Sequence, residues 1–577
     1  MGRYKRAVAV CIIIKLFGTL SELLLPYILE HMIDKVAPLG DLRLAVLWGL
    51  LMFAAAVVCR QLNVTANRRG IGTAHRVSYD IRQELFSKTA NLSGSQFDAF
   101  GLPSLISRMT SDSYNVQSAV QQLQTLCVRA PMLLIGGVCV TLAMDPSLAM
   151  ILIAMLPVLI LVVLAVSAKG LPMYNKVQRR LDAVVRVMRE NITGIRVVKA
   201  LSKTEYEKRR FARANQDMTD SDIAAGTVMA IPSPLMQLCL NGGLSLVVFI
   251  GAGRVNDGVM EPGVILAFLT YFNMITMGVM GLSRIFMTLS RAGASADRID
   301  QVLQTEIDQR VLPESEALTP GGGGFIRFEH VDFSYGEDSA ESAGFAGEKR
   351  EKALTDISFA LERGESLGII GPTGCGKSTV ISLLMRFYDV RDGGVFVDGR
   401  DVRTYDKDSL RRRFGVCFQN DMVFQDTLRE NVRFGRDVDS DAFRAAIEDA
   451  MAAEYIDALE DGADHQAAIK GANLSGGQRQ RLLVARALAA EPEILVLDDS
   501  SSALDYKTDA AMRRAIREHH GDATLIMVAQ RVSSVMGMTR ILVMDNGRCV
   551  GYGTHEELME SCPAYRETYQ VQMGELT

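Results

Sequence analysis

The sequence predicts an all-α membrane domain of six transmembrane helices with long cytoplasmic extensions, fused to an α/β phosphate-loop domain. Three observations predict this: charge-free apolar runs confined to the first half, long polar stretches between them, and a strand, the loop GPTGCGKST and a helix in the second half. The 577 residues leave room for several folding units, and the average of 48% hydrophobic and 22% charged residues conceals how unevenly the apolar ones are distributed.

Leu148 to Val166 is 19 residues without a charged or polar side chain. A helix of that length crosses roughly 30 Å of hydrocarbon. Comparable runs lie at about residues 7–29, 44–66, 127–144, 232–252 and 262–284, giving six candidate spans. Any one of them alone could be a buried soluble helix; six in one half are hard to accommodate in a soluble core.

Basic residues set the orientation. Arg3, Lys5 and Arg6 precede the first span, and Arg60, Arg68, Arg69, Arg76 and Arg82 follow the second, which places both of these flanks in the cytoplasm. Six crossings return the chain to the same side, so the N-terminus, the C-terminus and everything after about residue 285 are expected to be cytoplasmic. The opening MGRYKRAVAV runs from a basic flank directly into an apolar helix that continues past the length of a signal-peptide core, so no cleavable signal peptide is expected.

Residues 67–126 and 167–231 are too long and too polar for ordinary loops and read as helices continuing out of the membrane, with a break expected at Gly101 to Pro103. PESEALTPGGGG, Pro313 to Gly324, reads as a linker before a β-rich unit. The expected organisation is a membrane domain over 1–300, a linker over 301–324 and a nucleotide-binding domain over 325–577. DSAESAGFAGEKRE, Asp338 to Glu351, reads as a surface insertion.

The formal charge of −5, from 62 Lys+Arg and 67 Asp+Glu, gives no sign of a nucleic-acid partner. Nine cysteines without a repeated spacing read as small hydrophobes. His519 and His520 are adjacent but lack a third ligand for a metal. Lys15 and Glu22 fall within the first span, where they could touch polar cargo or pair with a neighbouring helix.

The loop Gly371, Pro372, Thr373, Gly374, Cys375, Gly376, Lys377, Ser378, Thr379 follows the apolar strand Ser366 to Ile370 and opens a helix. Its glycines let successive backbone N–H groups turn toward phosphate oxygens, and the helix N-terminus adds its dipole. In this pattern Lys377 reaches the β and γ phosphates and Ser378 ligates Mg²⁺. Cys375, inside the loop, suggests sensitivity to thiol reagents. A second strand, EILVLDDS, ends in Asp498 and Asp499, placing one carboxylate for Mg²⁺ and the next for the attacking water. Phosphoanhydride hydrolysis is the reaction these two motifs suggest.

LSGGQRQRLLVARAL, with Leu474 to Gln478 carrying the signature, then makes the chain resemble the ATP-binding cassette (ABC) transporter family, as a bacterial half-transporter of the exporter type. The resemblance covers nearly the whole chain. It implies that Tyr335 stacks on adenine, that Gln419 senses Mg²⁺ and the γ phosphate, and that Ser501 to Asp505 (SSALD) cross to an opposite site. It further implies that Ser475, Gly476, Gly477 and Gln478 complete the ATP site of a second cassette, so that two subunits are needed. Segments near Phe100 to Asp112 and Thr204 to Phe211 resemble the coupling regions that press on the cassettes.

Two positions depart from the family pattern. Asp499 stands where a glutamate usually polarises water, and Gln530, in Ala529-Gln530-Arg531, stands where a histidine usually supports the γ phosphate. The shorter carboxylate matters because a displacement of about 1 Å can cost roughly 100-fold in rate. Glutamine hydrogen-bonds but does not titrate near neutrality. Asp499, Gln530 and Gln419 are thus the catalytic candidates, with Ser378, Gln419 and Asp498 around the metal.

Together these features lead to a heterodimer in which this chain holds a degenerate ATP site and lends an intact signature to a partner with the conventional Glu and His. The activity would be ATP-driven export of a hydrophobic or amphipathic small molecule, lipid or peptide. A slow homodimeric exporter is one alternative, and a membrane-anchored ATP-dependent sensor or regulator without transport is another. Soluble cassette ATPases of the DNA-repair or translation type have no use for the first 285 residues.

Overall fold

The computed structural model describes residues 2–336, 352–500 and 503–574. Asp338 to Glu351, expected as a surface insertion, lie outside the described residues, as do Ser501 and Ser502. The chain divides into two compact units, residues 1–88 with 105–305, and residues 89–104 with 306–577. Residues 89–104 thus group with the C-terminal unit although they lie within the 1–300 range expected for the membrane domain.

Among the described residues, six helical segments are long and apolar enough to span a membrane: Gly2–Leu39, Leu42–Asn91, Leu102–Met144, Pro146–Thr193, Thr204–Asn256 and Pro262–Gln304. Each contains one of the six apolar runs. The 50-residue Leu42–Asn91 helix is about 75 Å long at 1.5 Å per residue, more than twice the hydrocarbon thickness, and its apolar run occupies only the first part. The long polar stretches are therefore helical extensions. The chain breaks at Gly101, which has φ 72°, and the next helix begins at Leu102 with Pro103 in its first turn.

Close packing in the membrane unit depends on small residues. A Cβ on Gly278 would lie 2.9 Å from the Ala130 carbonyl oxygen, one on Gly243 2.6 Å from the Phe272 ring, and one on Gly251 2.9 Å from Ile265. Helices approach closely at these points. Gly242 and Gly253 face open space, so the glycine pairs mark contacts only on one side.

The polar groups of the spans pair with one another. Lys15 is buried and donates to Asn63 Oδ1 at 2.8 Å and Asn67 Oδ1 at 3.2 Å. Arg129 grips Glu22 with Nη2 at 2.6 Å and Nε at 3.2 Å. Of the two roles open to Lys15 and Glu22, the structure provides the helix-to-helix one.

The described residues of the C-terminal unit form ten strands in two sheets. Antiparallel β1 (Ile326–Phe333), β2 (Leu354–Leu361), β4 (Asp392–Val397) and β5 (Arg400–Asp401) run in the order β2-β1-β4-β5. The second sheet has the order β10-β9-β3-β8-β7-β6, built from β3 (Ser366–Ile370), β6 (Phe414–Cys417), β7 (Ile494–Asp498), β8 (Thr524–Val528), β9 (Arg540–Asp545) and β10 (Arg548–Gly553). Strands β6, β7, β8, β3 and β9 are parallel. Every residue of β7 and β8 is buried, which explains their unbroken apolar sequences. The parallel register brings Asp498 at the end of β7 opposite Val528 at the end of β8. The carboxyl ends of the strands thereby form one rim, with the phosphate loop leaving β3 beside them.

Arg386, 1% exposed, joins the linker to this unit. Its guanidinium pairs with Asp389 at 2.8 Å and donates to the carbonyls of Arg403 at 3.1 Å and Arg310 at 2.6 Å, while its own carbonyl accepts from Gln309 at 3.2 Å. A buried guanidinium is tolerable because its donors are satisfied by fixed acceptors.

Candidate functional site

The phosphate loop turns between β3 and the helix Lys377–Leu384 at two positions where only glycine fits. A Cβ on Gly371 would lie 2.1 Å from the Met544 carbonyl oxygen. Gly376 has φ 98°, and a Cβ there would lie 2.8 Å from the Ala353 carbonyl oxygen. The loop is thus wrapped tightly against β9 and the residue preceding β2, and within it Cys375 N donates to the Pro372 carbonyl at 3.3 Å and Thr379 N to the Gly376 carbonyl at 3.0 Å.

A cleft of about 370 Å³ opens beside it. Tyr335, Thr373, Gly374, Gly376, Lys377, Ser378, Thr379, Gln419, Asp498, Asp499 and Gln530 line this space. Most residues expected to act in cis, scattered over nearly 200 positions, are brought together here, whereas Gly371, Pro372 and Cys375 of the same loop are not among the lining residues. Ser475, Gly476, Gly477 and Gln478 are not among the lining residues. They form the start of a separate helix, Gly476–Leu488, where Ser475 and Gln478 make a reciprocal capping box.

Lys377 Nζ donates to the carbonyls of Gly371 and Pro372, both at 2.8 Å, so its ammonium is folded over the loop. The Ser378 hydroxyl and the Asp498 carboxylate line the cleft together. Burial raises the Asp498 pKa, opposed by the nearby Ser378 hydroxyl and by the Lys377 charge and reinforced by Asp499. A hydroxyl and a buried carboxylate facing one cleft are hard oxygen donors, and a divalent cation would offset the cost of ionising the acid. The donor set fits Mg²⁺.

Asp499 sits in the left-handed region at φ 51°, which aspartate tolerates better than most residues. Its Oδ2 accepts from Gln530 Nε2 at 3.0 Å and Gln419 Nε2 at 3.3 Å. Burial raises its pKa, while the two amides and nearby Lys377 and Arg531 favour the ionised form. The two departures from the family pattern, Asp499 and Gln530, are thus bonded directly to each other.

Tyr335 is held at the other end of the cleft, where its hydroxyl donates to Thr379 Oγ1 at 3.0 Å. Burial pushes its pKa up. Cys375 departs from expectation. Its side chain is 4% exposed and burial raises the thiol pKa, so the feature that suggested thiol sensitivity is shielded by the loop that contains it.

Several contributors carried no sequence signal. Gln480 Nε2 donates to the Asp499 carbonyl at 3.0 Å and its Oε1 accepts from Ala503 N at 3.0 Å, tying the signature helix to the segment that follows β7. Gln572 near the C-terminus donates to the Gln530 carbonyl at 2.9 Å and accepts from Val532 N at 2.7 Å. Arg486 reaches from the signature helix to the Met422 carbonyl at 2.9 Å, beyond Gln419. Single glutamines and arginines at long sequence separation cannot be distinguished from surface residues without the fold.

The helix seated on the cassette also differs from the segment expected. Gly94–Phe100, opened by a Ser93/Gln96 capping box, lies within the C-terminal unit, and Gly94 N donates to the Phe387 carbonyl at 3.0 Å. The expected region, Phe100 to Asp112, begins where this contact ends. From Leu105 onward the chain belongs to the membrane unit, where Asp112 pairs with Arg298 and accepts from Ser295 at 2.8 Å. The sequence break at Gly101 marks the exit from the docked helix rather than its start. His519 and His520 do share a third group, Asp449, but as hydrogen-bond partners at 2.6 and 2.9 Å, and no metal-holding cluster occurs among the described residues.

Comparison with known proteins agrees with this architecture. Residues 8–279 match the ABC transporter transmembrane region and residues 354–502 match the ABC transporter family of ATP-binding domains. An ABC transporter ATP-binding protein of Mycobacterium tuberculosis is 33% identical over 567 residues, 98% of this chain and 95% of its own length. The ATP-dependent lipid A-core flippase of Desulfotalea psychrophila is 29% identical over 558 residues, 95% of this chain and 93% of the flippase. The solved structure of a bacterial Atm1-family ABC exporter with ATP bound covers 99% of both chains with a TM-score of 0.80 at 22% identity, a likeness of fold. A six-helix membrane region followed by an ATPase with a single phosphate loop and a single signature, matched in that order along one chain, is a multi-pass membrane ATPase coupled to transport that binds ATP with Mg²⁺ and works beside a second subunit: this chain belongs to the ABC transporter family.

Proposed function

We propose that this chain is one half of a heterodimeric exporter in a bacterial cell membrane, with both termini cytoplasmic, and that it hydrolyses ATP slowly at its own phosphate loop. The observation that carries this reading is the pair of amide bonds on Asp499 Oδ2. The side chain is one methylene shorter than glutamate, and reaching a water near the γ phosphate would require it to leave two donors. Neither amide can accept the proton that the carboxylate would have to pass on. Both features lower the rate of the same step.

In this reading Lys377, freed from the two loop carbonyls, bonds the β and γ phosphates. The amides of Thr373 to Thr379 line the phosphate path, and Tyr335 stacks on adenine. Ser378, Asp498 and Gln419 hold Mg²⁺, which when bound neutralises phosphate charge. Ser475, Gly476, Gly477 and Gln478, outside this chain's own cleft, serve the phosphate loop of the partner, where most turnover occurs. ATP does work by binding the closed pair of cassettes more tightly than the open one. The likeness to a lipid A-core flippase supports an amphipathic, lipid-like cargo.

The test is phosphate release by the purified chain alone and by the native complex recovered from membranes. Slow hydrolysis alone, and turnover in the complex that falls sharply on Ser475→Ala but only partly on Lys377→Ala, supports the proposal. Rapid hydrolysis by the chain alone, with Asp499 and Gln530 intact, establishes an active homodimer instead.

A further inference from the structure

The cleft end occupied by Tyr335 is connected to a part of the chain that does not line the cleft. Tyr335 meets Tyr388 edge to face, with ring centroids 5.2 Å apart and planes at 89°, and meets Phe333 in the same way at 4.8 Å and 85°. With its hydroxyl on Thr379 and two ring edges against it, Tyr335 has its position fixed from three directions.

Tyr388 is in turn held by the Gly94–Phe100 helix. Its hydroxyl donates to Asp98 Oδ2 at 2.7 Å. Burial and the Asp98 carboxylate raise its pKa above the usual tyrosine range, so it remains a donor at any physiological pH. Gly94, one helical turn before Asp98, lies over the same ring, and a Cβ there would stand 2.7 Å from Tyr388 Cζ and 2.8 Å from the Phe387 carbonyl oxygen. The helix is anchored at its other side, where Ser93 and Ser95 donate to Asp308 at 2.9 and 2.8 Å and Gln96 donates to the Glu306 carbonyl at 2.6 Å.

We propose that Tyr388 is a positioning residue for the nucleotide base, holding the Tyr335 ring in stacking register through its bond to Asp98, so that displacement of the Gly94–Phe100 helix weakens adenine binding and adenine binding holds that helix in place. The inference rests on Tyr335 being the adenine-stacking residue. Tyr388 itself is not among the residues lining the cleft, so its effect reaches the base only through Tyr335. The coupling is reciprocal: whatever affinity the helix lends to adenine, bound adenine lends to the seating of the helix.

The experiment compares ATP with inorganic tripolyphosphate, which presents the phosphate chain without the base, by calorimetric titration of the purified full chain. Tyr335→Ala should weaken ATP about 10-fold and leave tripolyphosphate within about 2-fold, as stacking on an aromatic face predicts. Asp98→Ala and Tyr388→Phe should each weaken ATP alone, by about 3- to 10-fold, less than the roughly 10- to 150-fold that a hydrogen bond to a charged group is worth directly, because the effect reaches the base only through Tyr335. The double variant should be no weaker than either single one, because both remove the same bond. Asp98→Asn, which keeps an acceptor, should restore most of the affinity. A merely structural bond would instead weaken both ligands together. The proposal is overturned if Asp98→Ala leaves ATP affinity unchanged while Tyr335→Ala lowers it, or if Asp98→Ala weakens both ligands equally. If Tyr335→Ala leaves ATP unchanged, the stacking assignment fails first and the relay fails with it, an outcome distinct from the other two.

Discussion

Gln530 Nε2 lies 3.0 Å from Asp499 Oδ2, so the two residues that depart from the family pattern form one hydrogen-bonded unit at the mouth of the phosphate loop. Either residue alone leaves the other mismatched: a longer carboxylate would have to be accommodated against Gln530, and a histidine would face a carboxylate that stops short. Their contact is a physical reason for the two substitutions to occur together.

Asp499→Glu combined with Gln530→His should therefore raise ATP hydrolysis at this chain's own loop, by up to roughly 100-fold. Each single change should give much less than its share, because the pair acts as a unit. Phosphate release from the purified chain measures this. A double variant no faster than the wild type would show that the slow step lies elsewhere.

Arg386→Met should destabilise the C-terminal unit by about 1 to 2 kcal/mol, since it removes the buried guanidinium that ties the partly exposed Asp389 to the carbonyls of Arg310 and Arg403. Arg386→Lys should recover only part of this, because an ammonium cannot match the planar fork. Chemical denaturation followed by tryptic cleavage within residues 325–577 reports the loss. Unchanged resistance would mean that the linker does not depend on this residue.

His519 Nδ1 donates to the Asp449 carboxylate at 2.6 Å, which raises the His519 pKa above the ordinary value of 6.5. A raised folded-state pKa means that the native protein binds the proton more tightly. The stabilisation is then full below about pH 6.5 and is lost as pH rises through the folded value. The melting temperature of His519→Asn should fall below that of the wild type at pH 6 and converge with it by pH 9. A gap that stays constant across this range would assign the contact no role in proton binding.

Cys375 should react slowly. It is 4% exposed and its thiol is kept protonated by burial. Maleimide labelling of the native chain, read by mass spectrometry at the peptide containing residue 375, should lag denatured controls by at least about 10-fold. Labelling at the rate of an exposed thiol would mean that the loop opens readily without nucleotide.

Much of the fold could be read directly because it depends on local or repeating features. Leu148 to Val166 has the length and the unbroken apolar character of a spanning helix, one of six such runs, and β7 and β8 carry the continuous apolar sequences of strands buried on both faces. The phosphate loop could be read for a similar reason: its glycines, lysine and hydroxyls act within nine consecutive residues, Gly371 to Thr379. Asp498 and Asp499 stood out because a strand end fixes where a side chain points.

What only the tertiary structure decided involves residues far apart in the chain and without a local pattern. The sequence could say that Asp499 is short and Gln530 cannot titrate, but their bond depends on β7 and β8 pairing in parallel register. It could mark Gly101 as a break, but not that the helix before it, rather than the chain after it, seats on the cassette. Tyr388 and Asp98, 290 positions apart, are an ordinary tyrosine and an ordinary aspartate until packing brings them to 2.7 Å. Apolar burial and backbone propensity act along the chain and leave a periodic record in it. A hydrogen bond between distant side chains leaves none, since its worth depends on the position and burial that the finished fold provides.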